Sequence, residues 1–208
     1  MKGEITLVTS DFKLVSRLLT EAARRGLRII HASNPSEIPL KARVLIMKRA
    51  EMIKVPDNIP IVYADDYTTA TSVLDRAVEI AAGRNDARTA TISIDPGRRI
   101  GLAYIVGDYV VRTESFTDIT GLERSVAEFI ANHSWLEVEV VIGSGAPEYR
   151  DAVLAALRRI PSLGDAPITI VPEEGTSRIG PGGKRRRMSD EHAASVLAMR
   201  KRHVKHKP

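Results

Sequence analysis

From residue 3 to residue 83, apolar and polar positions follow two alternating periods. Glu4-Ile5-Thr6-Leu7-Val8-Thr9 alternates as a strand, and Ser10 or Asp11 then stands where a helix cap belongs. Phe12, Val15, Leu18, Leu19, Ala22 and Ala23 recur at helical spacing up to Gly26, which sits where a C-cap glycine ends a helix. Residues 27–32 read as a second strand, and Pro35-Ser36-Glu37-Ile38-Pro39 interrupts the pattern. Residues 42–47 and 59–64 read as a third and a fourth strand, and 69–82 as a closing amphipathic helix. This order predicts a small α/β layer of receiver-like or Rossmann-like character over residues 1–84. The polar stretch 83–88 is expected to link it to a second domain over 89–208.

The second half has a different rhythm. Three strands at 90–94, 101–106 and 109–116 precede any helix, with Gly107-Asp108 as the turn of the second hairpin. Leu122, Val126, Phe129 and Ile130 mark a helix. The stretch 138–142 is nearly all apolar and predicts a parallel, central strand. A helix over 148–159, a fifth strand at 168–171, a glycine-rich basic loop at 176–187 and a last helix from about Ser189 complete a βββαβαβα order.

Composition narrows the chemistry. None of the 208 residues is cysteine, which excludes disulfide scaffolds, thiolate zinc sites and cysteine nucleophiles. No run of about 18 apolar residues occurs and the first residues do not read as a leader, so a cytoplasmic protein without a membrane partner is expected. The net charge of +5 is unevenly spread: Lys184-Arg185-Arg186-Arg187 and residues 200–207 concentrate positive charge near the C-terminus. That distribution fits a polyanionic partner, or else a solvated basic tail.

The candidate chemistry centres on Asp95, which ends an apolar strand just before the Pro96-Gly97 turn. By itself it reads as an ordinary hairpin carboxylate accepting turn hydrogen bonds. Partners change that reading, because two magnesium ions roughly 4 Å apart need several carboxylates from distant segments. Glu173 and Glu174 follow the fifth strand at once. Asp190 shares a helical stripe with Ala193, Ala194 and Leu197, where an acid needs a metal or a cation beside it; its other role is a first-turn acid favouring the helix dipole. His192 faces away from that stripe and ranks behind Asp190. Gly143-Ser144-Gly145-Ala146-Pro147, after the fourth strand, can receive a phosphate or simply make a tight turn. Asp11, Asp65 and Asp66 near strand ends in the first domain allow a receiver-like or nucleotide site, although no glycine-rich phosphate loop accompanies them.

With Asp95-Pro96-Gly97, the three-strand meander, Glu173 and Asp190 in this order, residues 89–200 resemble the RNase H-like superfamily, and its RuvC/YqgF branch in particular. Val141 to Arg150 resembles the strand and turn of the YqgF domain in Tex-type transcription proteins, Val171 to Ser177 its next acidic turn, and Ser189 to Ala198 its final helix. The resemblance implies a Holliday junction resolvase-like endonuclease dependent on Mg²⁺ (or Mn²⁺). Asp95, Glu173 and Asp190 would be catalytic metal ligands, with Glu174 and His192 as lesser candidates. Lys184, Arg185, Arg186, Arg187, Arg98 and Arg99 would bind a DNA junction or structured RNA, and a homodimer is an open expectation. RuvC resolvases carry an acid after strand four, where this chain has Gly143-Ser144. A non-catalytic nucleic-acid-binding module on the same fold, linked to RNA processing or translation, is therefore the second expectation. An actin-like ATP-binding fold is the third, weakened by the short second half and the lack of a second phosphate loop.

Overall fold

The computed structural model describes residues 2–51 and 53–172. The chain divides into two compact units, Met1–Asp86 and Ala87–Pro208. In the first, β1 (Lys2–Val8), α1 (Phe12–Arg24), β2 (Arg28–Ala32), β3 (Val44–Met47), β4 (Ile61–Tyr63) and α2 (Ala70–Ala81) build an α/β layer. Its four strands are all parallel, in the order β2-β1-β3-β4. All four residues of β3 are buried, because each face of this inner strand meets a core.

On one face lie α1 and α2, which pack on each other and on the sheet. On the other, Val8, Ala32, Leu45 and Met47 form a core covered by Ile38, Ala42, Ile53, Val55, Ile59 and Ile61. The proline-interrupted connections thus do the work of a helical layer. The apolar stripe expected on α1 is too wide: Val15, Leu18 and Ala22 are buried, whereas Phe12 is 77% and Leu19 40% exposed. At 100° per residue, Val15, Leu18 and Ala22 cluster within about 60°, while Phe12 and Leu19 fall on the flank.

A buried ion network joins the two helices. Arg25, just beyond α1, donates from Nε to Glu21 at 2.7 Å, from Nη1 to Asp75 of α2 at 2.7 Å and from Nη2 to the Thr71 carbonyl at 3.0 Å. Burial pushes the Glu21 carboxyl up, but hydrogen bonds and charge from Arg24 and Arg25 outweigh it and hold Glu21 at about 2. Because this folded value lies below the ordinary carboxylate value of 4.5, the stability gained is fully present above pH 4.5 and fades as pH falls toward 2. In urea titrations, the stability difference between the protein and Glu21→Gln is expected to shrink steadily from pH 6 to pH 2.5. A pH-independent difference would remove Glu21 from the acid response.

The second unit contains β5 (Thr89–Asp95), β6 (Ile100–Val106), β7 (Tyr109–Phe116), α3 (Ile119–Ala131), β8 (Glu137–Gly143), α4 (Pro147–Leu157) and β9 (Ile168–Val171). The sheet order is β7-β6-β5-β8-β9. The meander is antiparallel, whereas β8 runs parallel to both β5 and β9. The apolar strand expected to be central is indeed parallel on both sides, but the middle position belongs to β5. Gly107, at φ 61°, supplies the left-handed residue that the two-residue turn from Val106 to Tyr109 demands.

α3 and α4 pack together over one face of this sheet. Tyr104, fully buried, shares a hydrogen bond with Ser125 of α3 at 2.6 Å, and its ring lies 4.5 Å from that of Phe129. Ser125 also donates to Glu114, and Arg112 lies over the Tyr104 ring at 4.3 Å. His133 is a core histidine: it is stacked on Phe129 at 4.1 Å, with Nδ1 2.7 Å from the Phe129 carbonyl. Among the described residues no helix is long and apolar enough to cross a membrane.

Candidate functional site

Strand alternation decides what stands at the working edge of the second sheet. Asp95 is the last residue of the central strand and pairs with Gly101 of β6, which in turn pairs with Ser115 of β7. On the other side Ile94 pairs with Ile142, so Asp95 lies level with Gly143, which pairs with Val171 of β9. Ser115, Gly101, Asp95, Gly143 and Val171 therefore form one row across five strand tips, all on the same face. It is the face opposite Tyr104, hence opposite α3. The two lateral neighbours of the half-buried Asp95 carry no side chain, so no neighbouring side chain crowds the carboxylate from within the sheet.

A basic group is anchored on the β7 end of this row and another just beyond the tip of β8. Arg99, exposed in the turn after Asp95, donates from Nη2 to the Ser115 hydroxyl at 2.6 Å. Arg150, in the first turns of α4, donates from Nη1 to the Ser144 carbonyl at 3.2 Å and pairs with Asp151 at 3.2 Å. Ser144 itself extends the ladder, its amide donating to the Val171 carbonyl at 2.9 Å. Gly145 then takes φ 30°, a turn that a side chain would strain, and Pro147 opens α4 at a position where its missing amide costs nothing. Arg98 is exposed beside Arg99.

No protein-family model and no curated protein matches this chain.

Of the second unit's residues that the sequence singled out, Asp95, Arg98 and Arg99 are described, at the end of β5 and in the turn that follows it. Glu173, Glu174, Asp190, His192 and Lys184, Arg185, Arg186 and Arg187 lie outside the described residues, as do the basic loop and the last helix. Among the described residues no group of three or more His, Asp or Glu is placed to hold a metal ion. Arg150 was missed. Its signal was its distance of five residues from Gly145, which puts it on the first exposed turn after a glycine corner.

The acids of the first unit have other employment. Asp11 caps α1, accepting from the Lys13 and Leu14 amides, and its second oxygen meets the Lys48 ammonium at 3.0 Å. That contact holds the Asp11 carboxyl below, and the ammonium above, their ordinary values. Burial raises the Glu51 carboxyl, but hydrogen bonds from Thr9 and Ser10 bring it down on balance; it accepts from the Ser10 amide at 2.6 Å. Arg49 stacks on Tyr63 at 4.0 Å, pairs with Asp66 at 2.7 Å and donates its amide to Asp65 at 2.8 Å. At the point between β1 and β3 where strand order reverses, the usual ligand crevice of such sheets, Asp11 and Lys48 form a partly exposed ion pair. Asp11, Asp65 and Asp66, from which a receiver-like or nucleotide site was expected, are engaged in these internal pairs.

Proposed function

We propose that the Ala87–Pro208 unit is an RNase H-like, RuvC/YqgF-type endonuclease that cleaves phosphodiester bonds in branched DNA or structured RNA. Its metal ligands would be Asp95, Glu173 and Asp190, and Lys184 to Arg187 with Arg98 and Arg99 would grip the backbone. One observation carries this reading. The carboxylate stands at the tip of the central strand of a β7-β6-β5-β8-β9 sheet, level with Val171, and Glu173 follows Val171 by two residues.

The donor chemistry fits a hard cation. The chain offers only oxygen and nitrogen ligands, and Mg²⁺ is commonly held by one or two carboxylates together with substrate phosphates. When bound, such an ion supplies Lewis-acid polarisation of the phosphoryl oxygen and a more acidic water. The protein's own contribution is to hold Asp95 on the middle strand of the sheet, between two neighbours too small to obstruct a phosphate.

The test is cleavage of a labelled four-way DNA junction, a flap and a structured RNA by the full chain, with Mg²⁺, with Mn²⁺ and with chelator. Metal-dependent cleavage of at least one substrate, abolished by chelator, is the expected result. The second reading, a non-catalytic nucleic-acid-binding module, is favoured by Gly143-Ser144 at the tip of β8, where an additional acid would otherwise stand. Salt-sensitive binding with no cleavage under any metal would select it.

A further inference from the structure

We propose that the outer flank of α1 is a contact surface for a second copy of this chain, the two α1 helices packing antiparallel about a two-fold axis. The pairing is independent of the nuclease reading and concerns the Met1–Asp86 unit alone.

α1 carries more apolar surface than its own unit covers. At 100° per residue Leu19, Phe12, Ala23 and Ser16 share about 60° of arc, and all four are exposed. That arc lies about 170° from Glu21, to which Thr71 of α2 donates at 3.1 Å, so it faces away from the other helix. Phe12 marks its direction: its ring stands 6.5 Å from that of His31 on β2, the outermost strand of the sheet. The stripe therefore borders the outer side of the unit, and no charged residue interrupts it. Lys13, Arg24 and Arg17 follow about 90–130° round the helix from its middle.

The order of sizes along the stripe selects the occupant. Around a two-fold axis between residues 17 and 18, an antiparallel pair sets Phe12 against Ala23 of the second copy and Leu19 against its Ser16, and the reverse on the other half. Each large side chain then meets a small one, the arrangement that lets side chains interdigitate and helix axes close to about 8–10 Å. A parallel pair would instead set Phe12 on Phe12 and leave a gap where Ser16 meets Ser16. The antiparallel axis also places the basic rims of both copies on one side, clear of the contact, where salt screens their repulsion. A helix of 13 residues is about 20 Å long, which makes a small interface by the standard of permanent dimers, so reversible association in the micromolar range is expected.

The test is sedimentation velocity of the full chain across the micromolar range, at low and at high salt. A monomer–dimer equilibrium that tightens with salt is the expected result. Leu19→Glu, which puts a charge into the contact from a position exposed in the single chain, is expected to weaken association at least about a hundredfold. The register is read by oxidative cross-linking, for which a chain without cysteine is a clean background. Ser16→Cys lies beside the axis and is expected to link to its counterpart. Ala23→Cys would lie roughly 16 Å along the helix from its own, beyond the reach of a disulfide, unless the helices paired in parallel. Undiminished association of Leu19→Glu would assign self-association to another surface and overturn the proposal. So would linking of Ala23→Cys as fast as that of Ser16→Cys, and so would a chain that stays monomeric throughout, which leaves the stripe to a different partner.

Discussion

An Asp95→Asn variant is expected to lose about 10³-fold of its cleavage rate while keeping its fold and its grip on nucleic acid. The amide has nearly the shape of the carboxylate but none of its charge, so it removes the feature by which Asp95 would hold a cation beside a phosphate. Metal-borne stabilisation of a phosphoryl transition state is worth several kcal/mol. At 1.36 kcal/mol per tenfold, a loss of about 4 kcal/mol gives that factor. Packing should be indifferent to the change, since Asp95 is half-buried at a strand end with glycine on both sides. Single-turnover cleavage and far-ultraviolet circular dichroism on the same preparation separate the two effects. A variant cutting within a few-fold of the parent rate would end the role given to this carboxylate.

The second large effect belongs to stability. Arg25→Met is expected to cost the first unit about 3–5 kcal/mol, because it withdraws the guanidinium from carboxylates whose side chains are only 2% (Asp75) and 13% (Glu21) exposed. Removing one member of a buried pair leaves the desolvation cost of the other in place, and the Thr71 carbonyl loses a donor as well. A double change, Arg25→Met with Asp75→Leu, removes both charges and should recover much of the loss, since an apolar replacement of a buried pair is often neutral or better. Urea denaturation of the two single variants and the double gives the coupling directly. Additive losses would show that the pair is not energetically linked.

Local periodicity was enough for most elements. Residues 109–116 and 168–171 were read to the residue, since turn chemistry bounds one and a short apolar run defines the other. The misreadings have physical causes. Phe12 looked like core because helical spacing admits a stripe wider than the sheet can cover, and the stretch at 138–142 looked central because two parallel neighbours bury a strand as well as a middle position does. Asp11, Asp65 and Asp66 looked like a converging site, but nothing local in sequence announces that Lys48 and Arg49 arrive from another strand end to pair with them. Asp95 was legible as a strand-tip acid. Its glycine neighbours were not, because strand register is a property of the assembled sheet, and Gly143 lies 48 residues away along the chain.

That same register imposes an order of assembly. On one flank β5 pairs with nearby chain, Asp95 with Gly101 and Ala90 with Val106, so the hairpin closes small loops at little entropic cost. On its other flank β5 waits for β8, which can add only after a crossover containing α3. The meander is thus expected to nucleate early and the β5–β8 seam late. The half of the row that holds Asp95 and Gly101 can thus form from neighbouring chain, whereas the half that holds Gly143 depends on the crossover.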